Sequence, residues 1–72
     1  MKPGDLRKFL DKMSVFNDDL AYADDKVFMI LSIEENFRVA ILINGRYDPG
    51  WSVDSLACLS WSLDEAERLP IY

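Results

Sequence analysis

Two long apolar runs separated by a short polar break dominate the chain and predict a β-rich fold. Val27–Ile33 is an apolar run of seven residues with a single serine, and residues 37–43 form a second run rich in β-branched side chains. Runs of this length and composition are typical of central strands. Residues 34–36 separate them with a loop of hairpin length, so the two runs predict the centre of an antiparallel sheet.

Turn signals follow the second run. Asn44-Gly45 is a strong hairpin signal, because a type I′ turn requires positive φ at both of its central positions. Pro49-Gly50 predicts another turn, or a bulge, just before Trp51. Further on, residues 54–56 are predicted to form one 3₁₀ turn, and residues 57–59 a last short strand.

The beginning of the chain has two interpretations. The spacing i, i+3, i+4, i+7 predicts an amphipathic helix whose apolar face carries Leu6, Phe9, Leu10 and Met13. Pro3-Gly4-Asp5 is instead a turn signal, after which an edge strand could begin. The spacing favours a helix and the rest of the pattern favours a strand, so the sequence leaves residues 5–16 open.

A short helix is predicted at the end of the chain. Residues 62–65 have the capping-box form S-x-x-E, and residues 63–69 can make two helical turns before Pro70 stops them. A meander of four or five antiparallel strands must curl to cover its own faces. We therefore expect a mainly β fold, with a small barrel at residues 1–59 and a helical appendage at residues 60–72 packed on the same domain.

Several short motifs occur in an order that resembles small SH3-like β-barrel proteins encoded by tailed bacteriophages. They are Gly4-Asp5-Leu6, the strand Val27–Ile33, Arg38-Val39, Asn44-Gly45, Trp51-Ser52-Val53 and Ser55-Leu56-x-x-Leu59. The resemblance covers residues 1–59 and implies an SH3-like barrel of viral origin. Charged Arg7 and Lys8, and the segment from residue 60 onward, depart from the family pattern. The resemblance implies no activity, since a fold does not by itself determine function.

The net charge and the apolar content of the chain limit the kinds of molecule that it is expected to bind. The 72 residues include 13 acidic and 8 basic side chains, for a net charge of -5. Direct binding to nucleic acid is disfavoured, because it relies on Lys and Arg displacing counterions from phosphates. No apolar run approaches the roughly 18 residues of a membrane span, so we expect no membrane partner. A single cysteine rules out an internal disulfide and fits a reducing, intracellular setting. Together with the resemblance to phage proteins, this implies the host cytoplasm or, as the alternative, the virion.

The residue types that catalysis needs are scarce. There is no histidine, the commonest general base and transition-metal ligand. Without one, Cys58 lacks a base to activate it, and we expect it to be a small buried hydrophobe. The carboxylate pairs Glu34–Glu35 and Asp64–Glu67 lie on predicted surface, away from the enclosed setting that acid–base chemistry requires. We expect no enzymatic activity, no cofactor and no bound metal.

Two sets of residues are candidates for partner binding. The acidic set lacks the spacing and the glycine of a calcium loop, and it is either a solvated loop or a surface that attracts a basic partner; it comprises Asp18, Asp19, Asp24 and Asp25. Loop aromatic side chains of SH3-like barrels can line a groove for extended peptides, and this second set comprises Tyr22, Tyr47, Trp51, Trp61 and Tyr72. Trp51 could instead cover the core, while Trp61 and Tyr72 could pack on each other.

Together these observations predict a non-enzymatic, phage-encoded module that binds a host or viral protein through an acidic and aromatic surface. The alternative is a structural or assembly component of the virion that acts as an oligomer, since assembly would complete a small core. The sequence leaves both possibilities open, and with them the formation of a homo-oligomer.

Overall fold

The two apolar runs form neighbouring strands in the middle of a five-stranded antiparallel sheet. In the computed structural model, which describes residues 1–63, the strands are β1 (Leu6–Phe9), β2 (Val27–Ile33), β3 (Arg38–Ile43), β4 (Arg46–Ser52) and β5 (Ser60–Ser62). One short helix, α1 (Val53–Leu59), joins β4 to β5. A 3₁₀ helix at Asp18–Ala23 lies in the long loop between β1 and β2. The predicted mainly β fold is therefore confirmed.

The first strand lies inside the sheet. The strand order is β4-β3-β2-β1-β5, so β1 pairs with β2 on one side and with β5 on the other. Arg7, for example, is opposite Phe28 of β2 and Ser62 of β5. The strand interpretation of the first residues is thus correct for Leu6–Phe9, although this strand is not at an edge of the sheet.

The core lies on one face of the sheet. The rings of Phe9 and Phe28 stack with their centroids 4.3 Å apart. Met13, which belongs to the helix-like spacing at the start of the chain, is fully buried beside them. The rest of the core comes mainly from β2, β3 and α1, and consists of Ala23, Ile30, Val39, Ile41, Ile43 and Leu56.

The segment after β4 differs from the sequence prediction. Residues 54–56 and 57–59 were expected to be a 3₁₀ turn and a strand, but both belong to α1. The Ser52 hydroxyl caps this helix by accepting a hydrogen bond from the Ser55 backbone N–H at 3.0 Å. Val53, Leu56 and Leu59 then recur at helical spacing and pack on the core. The last strand is three residues later, at Ser60–Ser62.

Cys58 is exposed, so its assignment as a buried hydrophobe is wrong. In the predicted strand, the side chain of Cys58 would have pointed to the face of the sheet opposite to that of Ala57 and Leu59. In α1 it lies on the side facing away from the residues that contact the core. The predicted helix at residues 63–69 and the predicted roles of Pro70 and Tyr72 fall, apart from Leu63, outside the described residues.

The connection between β3 and β4 has the predicted turn. Asn44 and Gly45 have φ angles of 53° and 72°, which are the two positive values of a type I′ hairpin. No heavy atom beyond the chain neighbours lies within 4 Å of the position that a Cβ atom on Gly45 would occupy. Any cost of a side chain there is therefore backbone strain.

We expect Gly45→Ala to lower the free energy of unfolding by about 1–2 kcal/mol, the usual cost of a left-handed conformation for a residue with a Cβ. The matched control is Asn44→Gly, which relieves the same type of strain and should not destabilise the protein. Urea denaturation of both variants measures the difference. Equal destabilisation by both changes would contradict the role of this turn.

Candidate functional site

An open groove of about 370 Å³ lies between the 3₁₀ helix Asp18–Ala23, β4 and α1. We call it the groove. Its lining combines apolar and aromatic side chains with the Ser52 and Ser55 hydroxyls and with the charged side chains of Arg38 and Asp48. The lining includes Leu20, Tyr22, Asp48, Pro49, Trp51 and Ser55.

The Asp48 carboxylate at the groove joins two aromatic side chains. Its Oδ2 atom accepts a hydrogen bond from the Tyr22 hydroxyl at 2.5 Å and another from Trp51 Nε1 at 3.0 Å. A charged acceptor forms stronger hydrogen bonds than a neutral one. Because Tyr22 belongs to the loop between β1 and β2 and Asp48 belongs to β4, the hydrogen bond between them holds this loop against β4.

A bulge in β4 makes this arrangement possible. Asp48 is opposite Ile41 of β3, and Trp51 is opposite Val39. Two residues of β4, Pro49 and Gly50, therefore face one residue of β3. In a regular strand, positions three apart point to opposite faces of the sheet, but the extra residue turns both side chains to the core face. Gly50 has a φ of 89°, which glycine adopts without strain.

Trp51 is part of both the core and the groove. Its ring centroid is 5.1 Å from that of Phe9, so one part of the indole packs on the buried cluster. The same side chain lines the groove and donates to Asp48. Trp51 therefore packs on the core, as one interpretation of the sequence had it, and also lines the groove.

Among the residues that line the groove, Tyr22 has a clearly shifted pKa. Burial, followed by the hydrogen bond to Asp48 and the charge of that carboxylate, raises the pKa of Tyr22 to about 12 from 10.0. The nearby Arg46 guanidinium, 5.6 Å from the ring centroid, acts in the opposite direction. Since the folded state favours the neutral phenol, its contribution to stability is present below pH 10 and is lost as the pH rises towards 12.

The acidic residues divide into two pairs with different surroundings. Asp24 is half-buried and accepts hydrogen bonds from the backbone N–H groups of Met13, at 2.6 Å, and Ser14, at 3.1 Å. Asp25 forms an ion pair with Lys8 at 2.5 Å. The hydrogen bond between them raises the pKa of Lys8 and lowers the pKa of Asp25. Asp24 therefore holds the two ends of the loop between β1 and β2 together, and Asp25 connects this loop to β1 through Lys8.

The other two aspartates, Asp18 and Asp19, are exposed. They lie in the first turn of the 3₁₀ helix, directly before Leu20 of the groove. Asn17 caps that helix by accepting from the Asp19 backbone N–H at 3.0 Å. Asp54 is likewise exposed, in the first turn of α1 next to Ser55. Asp18, Asp19 and Asp54 are thus close in the chain to residues that line the groove.

The structure brings together only some of the candidate aromatic residues. Tyr22 and Trp51 meet at the groove, whereas Tyr47 points to the other face of β4. Trp61 lies in β5 opposite Lys8, whose Nζ atom is 5.7 Å from the centroid of the indole ring. Tyr72 is outside the described residues. Asp48 was missed in the sequence, because nothing in the Asp-Pro-Gly turn signal shows that its carboxylate faces two aromatic rings.

Within residues 1–63, no group of three or more Asp, Glu or Cys side chains is placed to hold a metal ion. No helix in this part of the chain is long and apolar enough to cross a membrane. No protein-family model, curated protein or solved structure matches the chain.

We expect Asp24→Ala to lower the free energy of unfolding by about 1–3 kcal/mol, because two partly buried N–H groups lose their acceptor. Asp18→Ala removes the same charge from an exposed position and should leave stability within about 0.5 kcal/mol of the wild type. Chemical denaturation distinguishes them. Similar losses in the two variants would show that Asp24 contributes only its charge.

The ionisation of Tyr22 can be followed by the ultraviolet absorbance of phenolate. The difference between the titrations of the wild type and of Tyr22→Phe should show a component with a pKa of about 12. In Asp48→Asn that component should move towards 10, because the negative charge beside the phenol is gone. A pKa unchanged by Asp48→Asn would contradict the contact between Tyr22 and Asp48.

Proposed function

We propose that this chain is a non-enzymatic, phage-encoded interaction module that binds a basic, extended segment of a host protein in the groove. The observation that carries the proposal is the pair of aromatic rings, Tyr22 and Trp51, that the Asp48 carboxylate holds in an open groove of mixed apolar and polar lining. Tyr and Trp are favoured anchors of protein interfaces, because they contribute large contact areas with few rotatable bonds.

The groove supports an extended ligand. Leu20, Pro49 and Leu59 provide apolar contacts along it, and the Ser52 and Ser55 hydroxyls lie on the α1 side. Ligand sites of this kind combine an apolar lining with a few polar groups that fix orientation. Because the rings are already held by Asp48, a ligand would not have to order them, which lowers the cost of binding.

The charges indicate the chemistry of the ligand. Asp18, Asp19 and Asp54 are close in the chain to residues that line the groove, and the whole chain has a net charge of -5. Arg38 is the one basic residue in the lining, and its guanidinium lies 3.4 Å from the Gly50 carbonyl oxygen. A negative potential accelerates the approach of a basic segment, and this contribution weakens as salt screens it.

An SH3-like barrel is the fold we propose for this module. In a flat sheet, β4 and β5 would be the two outer strands, about 19 Å apart at 4.8 Å per strand. The connection between them, α1, has seven residues and is only about 10 Å long at 1.5 Å per residue. The short connection supports a sheet that curls until its two outer strands, β4 and β5, come close together. The resemblance of residues 1–59 to phage proteins also supports this fold.

Capture of a host protein from bacterial lysate, followed by mass spectrometry, tests this function. Ser55→Trp fills the groove from an exposed position on α1, and we expect it to lower the affinity for the captured protein about tenfold or more. Ala57→Trp is the matched control, because Ala57 is exposed on the same helix and is not part of the groove. It should bind as the wild type does.

The salt dependence of capture tests the electrostatic part of the proposal. Raising the salt concentration from about 0.1 M to about 1 M shortens the screening length from about 10 Å to about 3 Å, and capture should fall accordingly. If Ser55→Trp and Ala57→Trp lose the partner equally, the groove is not the binding site. If capture does not depend on salt, the electrostatic part of the proposal fails.

A further inference from the structure

The turn between β2 and β3 holds an aromatic residue in an unfavourable backbone conformation. Phe37 has a φ of 59° and follows Asn36, whose φ is 64°. Asparagine tolerates this left-handed region, but a residue with a bulky side chain rarely adopts it, and glycine would occupy the position without strain. We call residues 34–38 the hairpin tip.

Phe37 also has the most exposed large hydrophobic side chain among residues 1–63, at 76%. The buried core cluster and the partly buried side chains packed against it in this part of the chain do not include Phe37. The ring therefore adds neither core packing nor a favourable backbone, so the stability of the fold does not account for it. Strained backbone that persists in a fold is concentrated at binding and active sites, and this observation points to a binding role for Phe37.

The hairpin tip adjoins the groove. Arg38, the residue after Phe37, begins β3 and lines the groove. It is opposite Ser52 of β4, which also lines the groove, and its guanidinium donates a hydrogen bond to the Gly50 carbonyl oxygen at 3.4 Å. Consecutive Cα atoms are about 3.8 Å apart, so Phe37 lies at the end of the groove. An extended segment in the groove can therefore continue onto the hairpin tip.

We propose that Phe37 binds an arginine side chain of the segment in the groove, at the point where this segment passes the hairpin tip. The inference rests on the proposed function and adds a preference for arginine to it. A guanidinium group stacks on the face of an aromatic ring, whereas the ammonium group of lysine is a compact and strongly hydrated charge.

The charges of the hairpin tip suit the same ligand. Glu34 and Glu35 are both exposed, and they bring two carboxylates to the tip against the one guanidinium of Arg38. Arginine pairs with carboxylates through two parallel N–H groups, which lysine cannot do. An arginine side chain that lies on the Phe37 ring is therefore also attracted by the charge next to it.

The stability of Phe37→Gly tests the inference without a ligand. Glycine adopts the left-handed conformation without strain, and the ring that it removes is mostly in solvent. The midpoint of urea denaturation should therefore be unchanged or higher than in the wild type. A lower midpoint would show that the ring serves the fold, and it would overturn the binding role.

The binding test uses two short peptides, one in which arginine alternates with leucine and one in which lysine does. Phe37→Gly should lower the affinity for the arginine peptide about two- to fivefold, the usual effect of an exposed cation–π contact, and change the affinity for the lysine peptide much less. Phe16→Ala is the matched control, because Phe16 is 56% exposed and does not line the groove. It should bind both peptides as the wild type does.

Backbone amide signals in a nuclear magnetic resonance titration separate this inference from the proposed function. With the arginine peptide, the signals of Ser52 and Ser55 in the groove and those of Asn36 and Phe37 at the hairpin tip should shift together. If only the groove signals shift, or if Phe37→Gly weakens both peptides equally, the preference for arginine at the tip is wrong and the proposed function stands. If the groove signals do not shift with either peptide, the proposed function fails and this inference fails with it.

Discussion

The arrangement of the groove depends on one extra residue in β4. The bulge at Pro49-Gly50 brings the side chains of Asp48 and Trp51 to the same face, where the carboxylate can reach both the indole and the hydroxyl of Tyr22. With a regular strand, one of the two side chains would point away and the loop between β1 and β2 would lose its attachment. The local backbone conformation of Gly50 thus determines a contact between parts of the chain that are 26 residues apart.

The two faces of the sheet have different chemistry. On the core side, the two aromatic rings held by Asp48 line the groove in which we propose that a basic segment binds. On the other side, Lys8 lies opposite Val27 and Trp61 and forms an ion pair with Asp25. A small domain gains limited stability from its own core, so surfaces that become buried in complexes can contribute much of its effective stability.

Features that depend on local sequence preferences, such as strand composition and turn conformation, could be predicted. Val27–Ile33 and the Asn44-Gly45 turn follow from strand composition and from positive φ, and both are present. Residues 57–59 were misjudged, because the cap from Ser52 and the helical spacing of Val53, Leu56 and Leu59 outweigh the local preference for a strand. Of the groove, Tyr22 and Trp51 were identified by residue type. Asp48 was not, since its role arises from tertiary contacts that leave no periodic pattern.

The position of β1 between β2 and β5 has a consequence for the order of folding. The hairpins β2–β3 and β3–β4 join neighbouring segments, and their loops are inexpensive to close. Pairing of β1 with β5 joins residues more than 50 positions apart, for example Arg7 and Ser62. During synthesis, the first strand must therefore wait for nearly the whole described chain before it has both neighbours. Long-range pairing of this kind slows folding, and the exposed edge of an unfinished sheet is a site for aggregation.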